Sequence, residues 1–146
     1  LAFVALIALV NGVIGMVGGW FGITNLSLQS ILGYIFAPVA VIIGVPMKEA
    51  VVAGSLIGQK IILNEFVAFT SLSEIMSTLS AKTIAVVTFS LCGFANISSI
   101  AILIGGIGGM APSRKHDIAR LGWKAVLGGT LANLLSATIA GLLLTI

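Results

Sequence analysis

Residues 50–72 read AVVAGSLIGQKIILNEFVAFTSL, an apolar stretch with Lys60 and Glu65 inside it. As a helix, 50–63 is about 21 Å long, whereas the hydrocarbon core of a bilayer is about 30 Å thick. This arm falls short of crossing. It ends at Asn64-Glu65, a second apolar piece starts at once, and polar residues return at 73–83, SEIMSTLSAKT. Two short arms meeting at a polar tip predict a re-entrant helical hairpin over 48–80, with the chain returning to the side from which it set out.

The composition around this stretch sets the solvent. Of the 146 residues 59% are apolar and 8% charged, with a mean hydropathy of +1.25. A soluble domain carries about 25% charged residues, so this chain cannot cover a water-facing surface. Residues 1–47, 83–113 and 125–146 hold no Asp, Glu, Lys or Arg, and charge-free apolar runs of such length read as transmembrane helices. The expected fold is an all-α integral membrane protein with about four transmembrane helices plus the hairpin. Spans are expected at 1–19, at 31–45 with a kink at Pro38, at 82–111 and at 125–146, joined by connectors at 20–30 and 112–124. Within 82–111, two apolar pieces too short to cross flank GFANISS at 93–99. One interrupted span follows, and interrupted segments are the best pointer in a sequence to a transporter site at the midplane. The chain starts at Leu1 inside an apolar run, which reads as the later part of a longer polypeptide without a signal peptide.

Several classes drop out. One cysteine, Cys92, and one histidine, His116, leave neither a disulfide within the chain nor a metal site built on cysteines or several histidines. No catalytic Ser/His/Asp set shares a plausible depth, so no enzyme is expected. Gly15-x-x-x-Gly19, Gly54-x-x-x-Gly58 and Gly105-x-x-x-Gly109 fit close helix packing; no Gly-Lys-Ser/Thr follows, so none is a phosphate loop. The net charge of +3 does not imply nucleic acid, because Arg114, Lys115, Arg120 and Lys124 crowd one connector. Such a cluster is a topology signal: it puts 112–124 in the cytoplasm, and both feet of the hairpin and the C-terminus outside.

Glu65 is the sharpest candidate for chemistry. A carboxylate at the centre of a membrane helix costs about 2.5–3.5 kcal/mol on insertion scales, so it belongs in a protein-lined or watery place. Its two oxygens suit two neighbouring hydroxyls of a sugar. Asn96, Ser98 and Ser99, at a similar depth in the interrupted span, offer donors and acceptors for a neutral hydroxylated ligand, and Phe94 a face for a flat base. Gln59, Lys60 and Asn64 add polarity to the first arm. A structural pair between Lys60 and Glu65 is the plainer reading of those two charges.

Two runs carry a resemblance. Gly58-Gln59-Lys60-Ile61-Ile62-Leu63-Asn64-Glu65-Phe66-Val67-Ala68-Phe69, and Cys92-Gly93-Phe94-Ala95-Asn96-Ile97-Ser98-Ser99-Ile100 followed by Ala111-Pro112-Ser113-Arg114-Lys115-His116-Asp117, resemble the signature runs of concentrative nucleoside transporters, the bacterial branch in particular. The similarity covers essentially the whole chain as that family's C-terminal half. It implies a secondary-active symporter that moves nucleosides inward with sodium or protons, without a cofactor, as a homotrimer in the plasma (inner) membrane. By motif, Glu65 at the tip of the second hairpin would bind ribose hydroxyls, Asn96 and Ser99 would also contact ribose, and Phe94 would lie near the base. The segment 31–45 would belong to the trimer scaffold. The hairpin, the interrupted helix and the last span would belong to the moving transport domain. Nothing here matches the family's first hairpin, so this chain would hold about half of a binding site and need the N-terminal half of the same polypeptide. The competing expectation is a non-transporting membrane subunit in which Glu65 and Lys60 pair structurally. A passive pore has no ring of charges or repeated filter to support it.

Overall fold

The computed structural model describes residues 2–23 and 25–144, with side chains from residue 5 onward; the termini of the expected spans 1–19 and 125–146 lie partly outside this range. Seven helices follow one another: α1 (Ala2–Trp20), α2 (Leu28–Ile42), α3 (Ala50–Ile62), α4 (Glu65–Ile75), α5 (Ala81–Leu91), α6 (Ile97–Met110) and α7 (Lys115–Leu143). Among the described residues there is no strand.

Side-chain caps set most of the boundaries. The Ser27 hydroxyl accepts from the Ser30 amide at 3.2 Å, and the Ser30 hydroxyl accepts from the Ser27 amide at 2.9 Å, a reciprocal cap that satisfies donors the first turn cannot. Helix α2 therefore begins three residues inside the connector expected at 20–30. Asn11, halfway along α1, adds a second tie: its Oδ1 accepts from the Leu28 amide at 2.8 Å and its Nδ2 donates to Gln29 Oε1 at 3.0 Å. Gly22 and Asn25 in the intervening link both sit at positive φ, 72° and 65°.

Helix α2 has 15 residues, about 22 Å, and does not reach across a membrane core on its own. It packs antiparallel on α3 through glycines. A Cβ added at Gly54 would stand 2.6 Å from the Ala37 amide nitrogen and 2.7 Å from the Gly33 carbonyl oxygen. The backbones are in contact, which joins α2 to the first arm of the hairpin. Of the three Gly-x-x-x-Gly patterns only this one works as a packing face among the described residues. Gly19, Gly105 and Gly109 have open space around them, and Gly15 meets only the Leu26 carbonyl at 3.9 Å.

The hairpin forms as two antiparallel arms, α3 and α4. Gln59, 2% exposed, donates to the Ser55 hydroxyl at 3.2 Å and accepts from the Ser71 hydroxyl at 2.9 Å, stitching the arms together. At its base Glu49, just before α3, accepts from the hydroxyl of Ser80 at 2.8 Å and from its amide at 3.3 Å, just before α5. The two ends of the hairpin thus meet. The hydroxyls of Thr83 and Ser80 hold the Glu49 carboxyl below its ordinary value. A carboxyl whose folded value is lowered stabilises the fold above its ordinary range and loses that contribution as pH falls through the lowered value. Ser80→Ala should therefore destabilise at pH 7, with the gap to the unaltered protein narrowing as pH drops below about 4 to what the lost cap of α5, Ser80 Oγ accepting from the Thr83 amide, contributes at any pH. Thermal stability measured from pH 7 to 3 checks this; a gap independent of pH would show that the carboxylate is not the partner that matters.

Helix α5 ends at Leu91 and α6 begins at Ile97, so the break is shorter than the expected 93–99; Asn96 caps α6 by accepting from the Ser99 amide at 2.8 Å. The basic stretch 112–124 is not a loop. After a single 3-10 turn at Pro112–Arg114 the 29-residue α7 starts at Lys115 and absorbs it. Lys and Arg are good helix formers, and Asp117 in the first turn suits the positive helix end while pairing with Arg114 at 2.6 Å and Arg120 at 3.7 Å. Pro112–Leu143, 32 residues, is the one helical run among the described residues that is long and apolar enough to cross a membrane unaided. The core gathers small and branched residues from five helices, including Ala40, Ala53, Leu56, Ile57, Ala68, Val86, Val87, Leu91 and Ala137.

Candidate functional site

Two helix starts meet at the tip of the hairpin. Asn64, with extended backbone, caps α4 by accepting from the Val67 amide at 2.9 Å, which puts Glu65 in the first turn. Asn96 does the same for α6. A negative side chain in a first turn sits where the helix dipole is positive, and Glu65 takes that place at the start of α4. The tips are tied directly: Asn96 Nδ2 donates to Glu65 Oε2 at 2.9 Å, and Ser98 Oγ lies 3.1 Å from the Leu63 carbonyl and 2.7 Å from Asn96 Oδ1. Asn96 is 1% exposed. A buried amide with both its ends engaged is a fixed part of the site.

The other Glu65 oxygen has no hydrogen-bond partner among the described residues. The carboxylate borders a cleft of about 420 Å³ lined also by Asn64, Phe66, Phe94, Asn96, Ser98 and Ser99. Ser99 Oγ stands 2.6 Å from the Phe94 carbonyl and 2.9 Å from Asn96 Oδ1, which leaves its lone pairs available as acceptors. The structure thus brings Glu65, Asn96, Ser99 and Phe94 to one cleft. Phe94 is 79% exposed and Phe66 76%. Both rings stand next to the polar groups, and the described residues leave them largely uncovered.

Lys60 does not pair with Glu65. It is 1% exposed, and its ammonium has no hydrogen-bond partner among the described residues, while Glu65 is engaged by Asn96. The plain reading of the two charges as a structural pair finds no bond to rest on.

Two residues escaped the sequence reading. Phe66 is the counterpart of Phe94: one aromatic two positions beyond a capping Asn, the other two positions before one. That mirrored spacing was the available signal. Asn133, inside the last apolar span, lies hard against Gly93, where a Cβ would collide with its amide. It helps to line a second cleft of about 350 Å³ behind the break, shared with Phe94 and Ser99. A lone Asn at mid-span is the kind of residue that is rarely left facing lipid.

Among known families, the one described as "Na+ dependent nucleoside transporter C-terminus" matches residues 1–141. The chain belongs to this family. It is 61% identical over 142 residues to the "Uncharacterized transporter YutK" of Bacillus subtilis, covering 97% of this chain and 35% of that protein. It is 52% identical over 147 residues to the "Nucleoside permease NupC" of Helicobacter pylori, covering 97% and 35%. To the human "Solute carrier family 28 member 3" it is 37% identical over 158 residues, covering 98% and 23%. The chain therefore spans about a third of the length of these bacterial relatives. Among solved structures it resembles CNTnw in an inward-facing substrate-bound state, with TM-score 0.91 and 57% identity over 97% of this chain and 35% of that one. A variant of the same protein in an outward-facing state matches with TM-score 0.92 and 55% identity over 99% and 36%. The all-helical architecture is thus that of a membrane transporter, and the family's members are transporters, not enzymes.

Proposed function

We propose that the full-length protein takes up nucleosides against their gradient by coupling them to sodium or protons, and that this segment supplies the ribose half of the site. The observation that carries the reading is the Asn96–Glu65 bond at the meeting point of α4 and α6. It fixes a carboxylate at the mouth of a cleft with one oxygen left over, beside a serine hydroxyl and two exposed aromatic rings. A carboxylate accepts two hydroxyl protons at once, which suits the vicinal diol of ribose, and Phe94 and Phe66 suit the flat face of a base. The family's description as sodium-dependent and the relatives named as nucleoside permeases support the substrate and the coupling.

Transport follows from differential stability. The hairpin, α5–α6 and α7 carry the site from one side of the membrane to the other, and α2, packed on α3, travels with them. Cation and nucleoside favour the same conformation, so each raises the affinity for the other by the same factor. The assembly is a homotrimer in the plasma (inner) membrane, with the basic start of α7 in the cytoplasm, the C-terminus and the hairpin base outside, and the N-terminal half of the polypeptide completing the site.

Labelled uridine uptake by the full-length protein in proteoliposomes tests this under an imposed sodium gradient and then a proton gradient. Accumulation under one gradient alone supports the reading and names the ion. No accumulation of uridine or of purine nucleosides under either, with folded protein, removes it. Phe94→Ala should raise the half-saturating uridine concentration about tenfold, from the loss of one aromatic face worth about 1–1.5 kcal/mol. Concentration-dependent uptake measures it, and an unchanged value would take the base away from Phe94.

A further inference from the structure

The outer face of α7 is not used by the site. At 100° per residue, Arg120, Lys124, Leu127, Leu131, Leu135 and Leu142 fall within about 80° of arc. All six are exposed. The opposite stripe, with Gly122, Val126, Ala137 and Gly141, is the buried one. Two charges thus stand directly below a row of three leucines, Leu127, Leu131 and Leu135, with Thr138 between these and Leu142, and Trp123, 53% exposed, sits beside them. Asp117 offsets only part of the charge, being shared between Arg114 at 2.6 Å and Arg120 at 3.7 Å. Lys124 and His116 are exposed with no carboxylate partner among the described residues, whereas Lys115 lies across Gly108 of α6.

We infer that this face binds an anionic phospholipid, with its phosphodiester held by Arg120 and Lys124 and an acyl chain laid along Leu127, Leu131 and Leu135. The charge pattern and the apolar row must be read together. A soluble anion would need only the charges and a neutral lipid only the leucines, and α7 offers both in line. The dimensions agree. Half a hydrocarbon core is about 15 Å, which is about ten residues of helix, the distance from Lys124 to just short of Leu135. Trp123 stands at the level that aromatic side chains take at a membrane interface. Arg and Lys near an anionic leaflet gain affinity by about fivefold each. The inference rests on the membrane fold and does not depend on which solute is carried.

The test uses the delipidated full-length protein in detergent. Native mass spectrometry follows titration with phosphatidylglycerol, with phosphatidylcholine of the same chains, and with glycerol phosphate. Phosphatidylglycerol should bind selectively, and Arg120→Gln with Lys124→Gln should weaken it about thirtyfold without changing phosphatidylcholine. Exchanging the two charges (Arg120→Lys with Lys124→Arg) should retain binding, which separates lost charge from lost fold. A photoreactive residue at Leu131 should label lipid. Equal binding of both lipids, equal binding by the neutralised variant, or glycerol phosphate bound as tightly as the lipid would each overturn the inference. So would a label at Leu131 that goes to another part of the polypeptide, because that segment would then cover the face.

Discussion

Replacing Glu65 by Gln is expected to cut uridine uptake at limiting substrate by about two orders of magnitude while leaving the fold intact. A hydrogen bond to a charged group is worth about 1.5–3 kcal/mol. Removing the charge from two ribose hydroxyls then costs about 3 kcal/mol, or about a hundredfold. The fold is spared because the Gln side-chain oxygen can still accept from Asn96 Nδ2, the bond that ties the two tips at 2.9 Å. Lys60→Met should do less, since Lys60 makes no hydrogen bond and Glu65 does not depend on it. The decisive comparison uses uridine, 2′-deoxyuridine and 2′,3′-dideoxyuridine. Each missing hydroxyl should matter much less to the Glu65→Gln variant than to the unaltered protein. If discrimination among the three persists unchanged, or if the Lys60 and Glu65 substitutions act alike, the carboxylate is not the ribose ligand.

Gly54→Val should be the most damaging single change to the structure. Its Cβ would enter the backbone of α2, 2.6 Å from the Ala37 nitrogen and 2.7 Å from the Gly33 oxygen. Backbone atoms in a packed helix pair cannot rotate aside as a flexible side chain can. Overpacking costs about 1–3 kcal/mol even where side chains yield, so a loss of about 3 kcal/mol or more is expected, and with it the register of α2 on the hairpin. Gly105→Val is the matched control, because a Cβ there meets nothing within 4 Å. Thermal unfolding of the two variants, followed by loss of the monodisperse peak, should separate them widely. Similar midpoints would mean that α2 and α3 slide apart readily and that the close glycine contact is dispensable.

How far these features could be read from the residues depends on how local their causes are. The hairpin tip was legible because Asn64 and Glu65 interrupt an apolar run before it has crossed the membrane core, and the same Asn that reads as a break also makes the cap. Asn96 was legible for the same reason. The end of the break at Ile97 was not, because a helix that resumes on Ser98 and Ser99 looks polar in composition though its capping is helical. The stretch 112–124 misled in the opposite sense: its charges report water, and water-facing residues continue a helix as readily as they end one. The partnership of α2 with the hairpin lay further out of reach. Gly54 and Gly58 announce that something comes close but not which helix, and Gly105 and Gly109 carry the same pattern with no neighbour at all. Asn133 was hidden by its surroundings, one amide in a long apolar helix whose position against Gly93 depends on a contact between distant parts of the chain.

The attachment of α1 carries a thermodynamic implication. The helix is held to the start of α2 by two bonds from a single amide, Asn11 to the Leu28 amide and to Gln29. At about 1 kcal/mol net apiece, these two bonds alone shift the balance between docked and undocked arrangements by about thirtyfold, beside the packing of Gly18 on Leu26. Such a latch biases a resting position yet yields to the free energy of a single bound ligand. The adjoining link already holds Gly22 and Asn25 in left-handed conformations, which lets the chain reverse tightly without extending. An undocked α1 therefore pivots from its C-terminal end, and its far part, where Ile7 lies in one cleft with Gln59 and Phe66 of the hairpin, sweeps the larger distance.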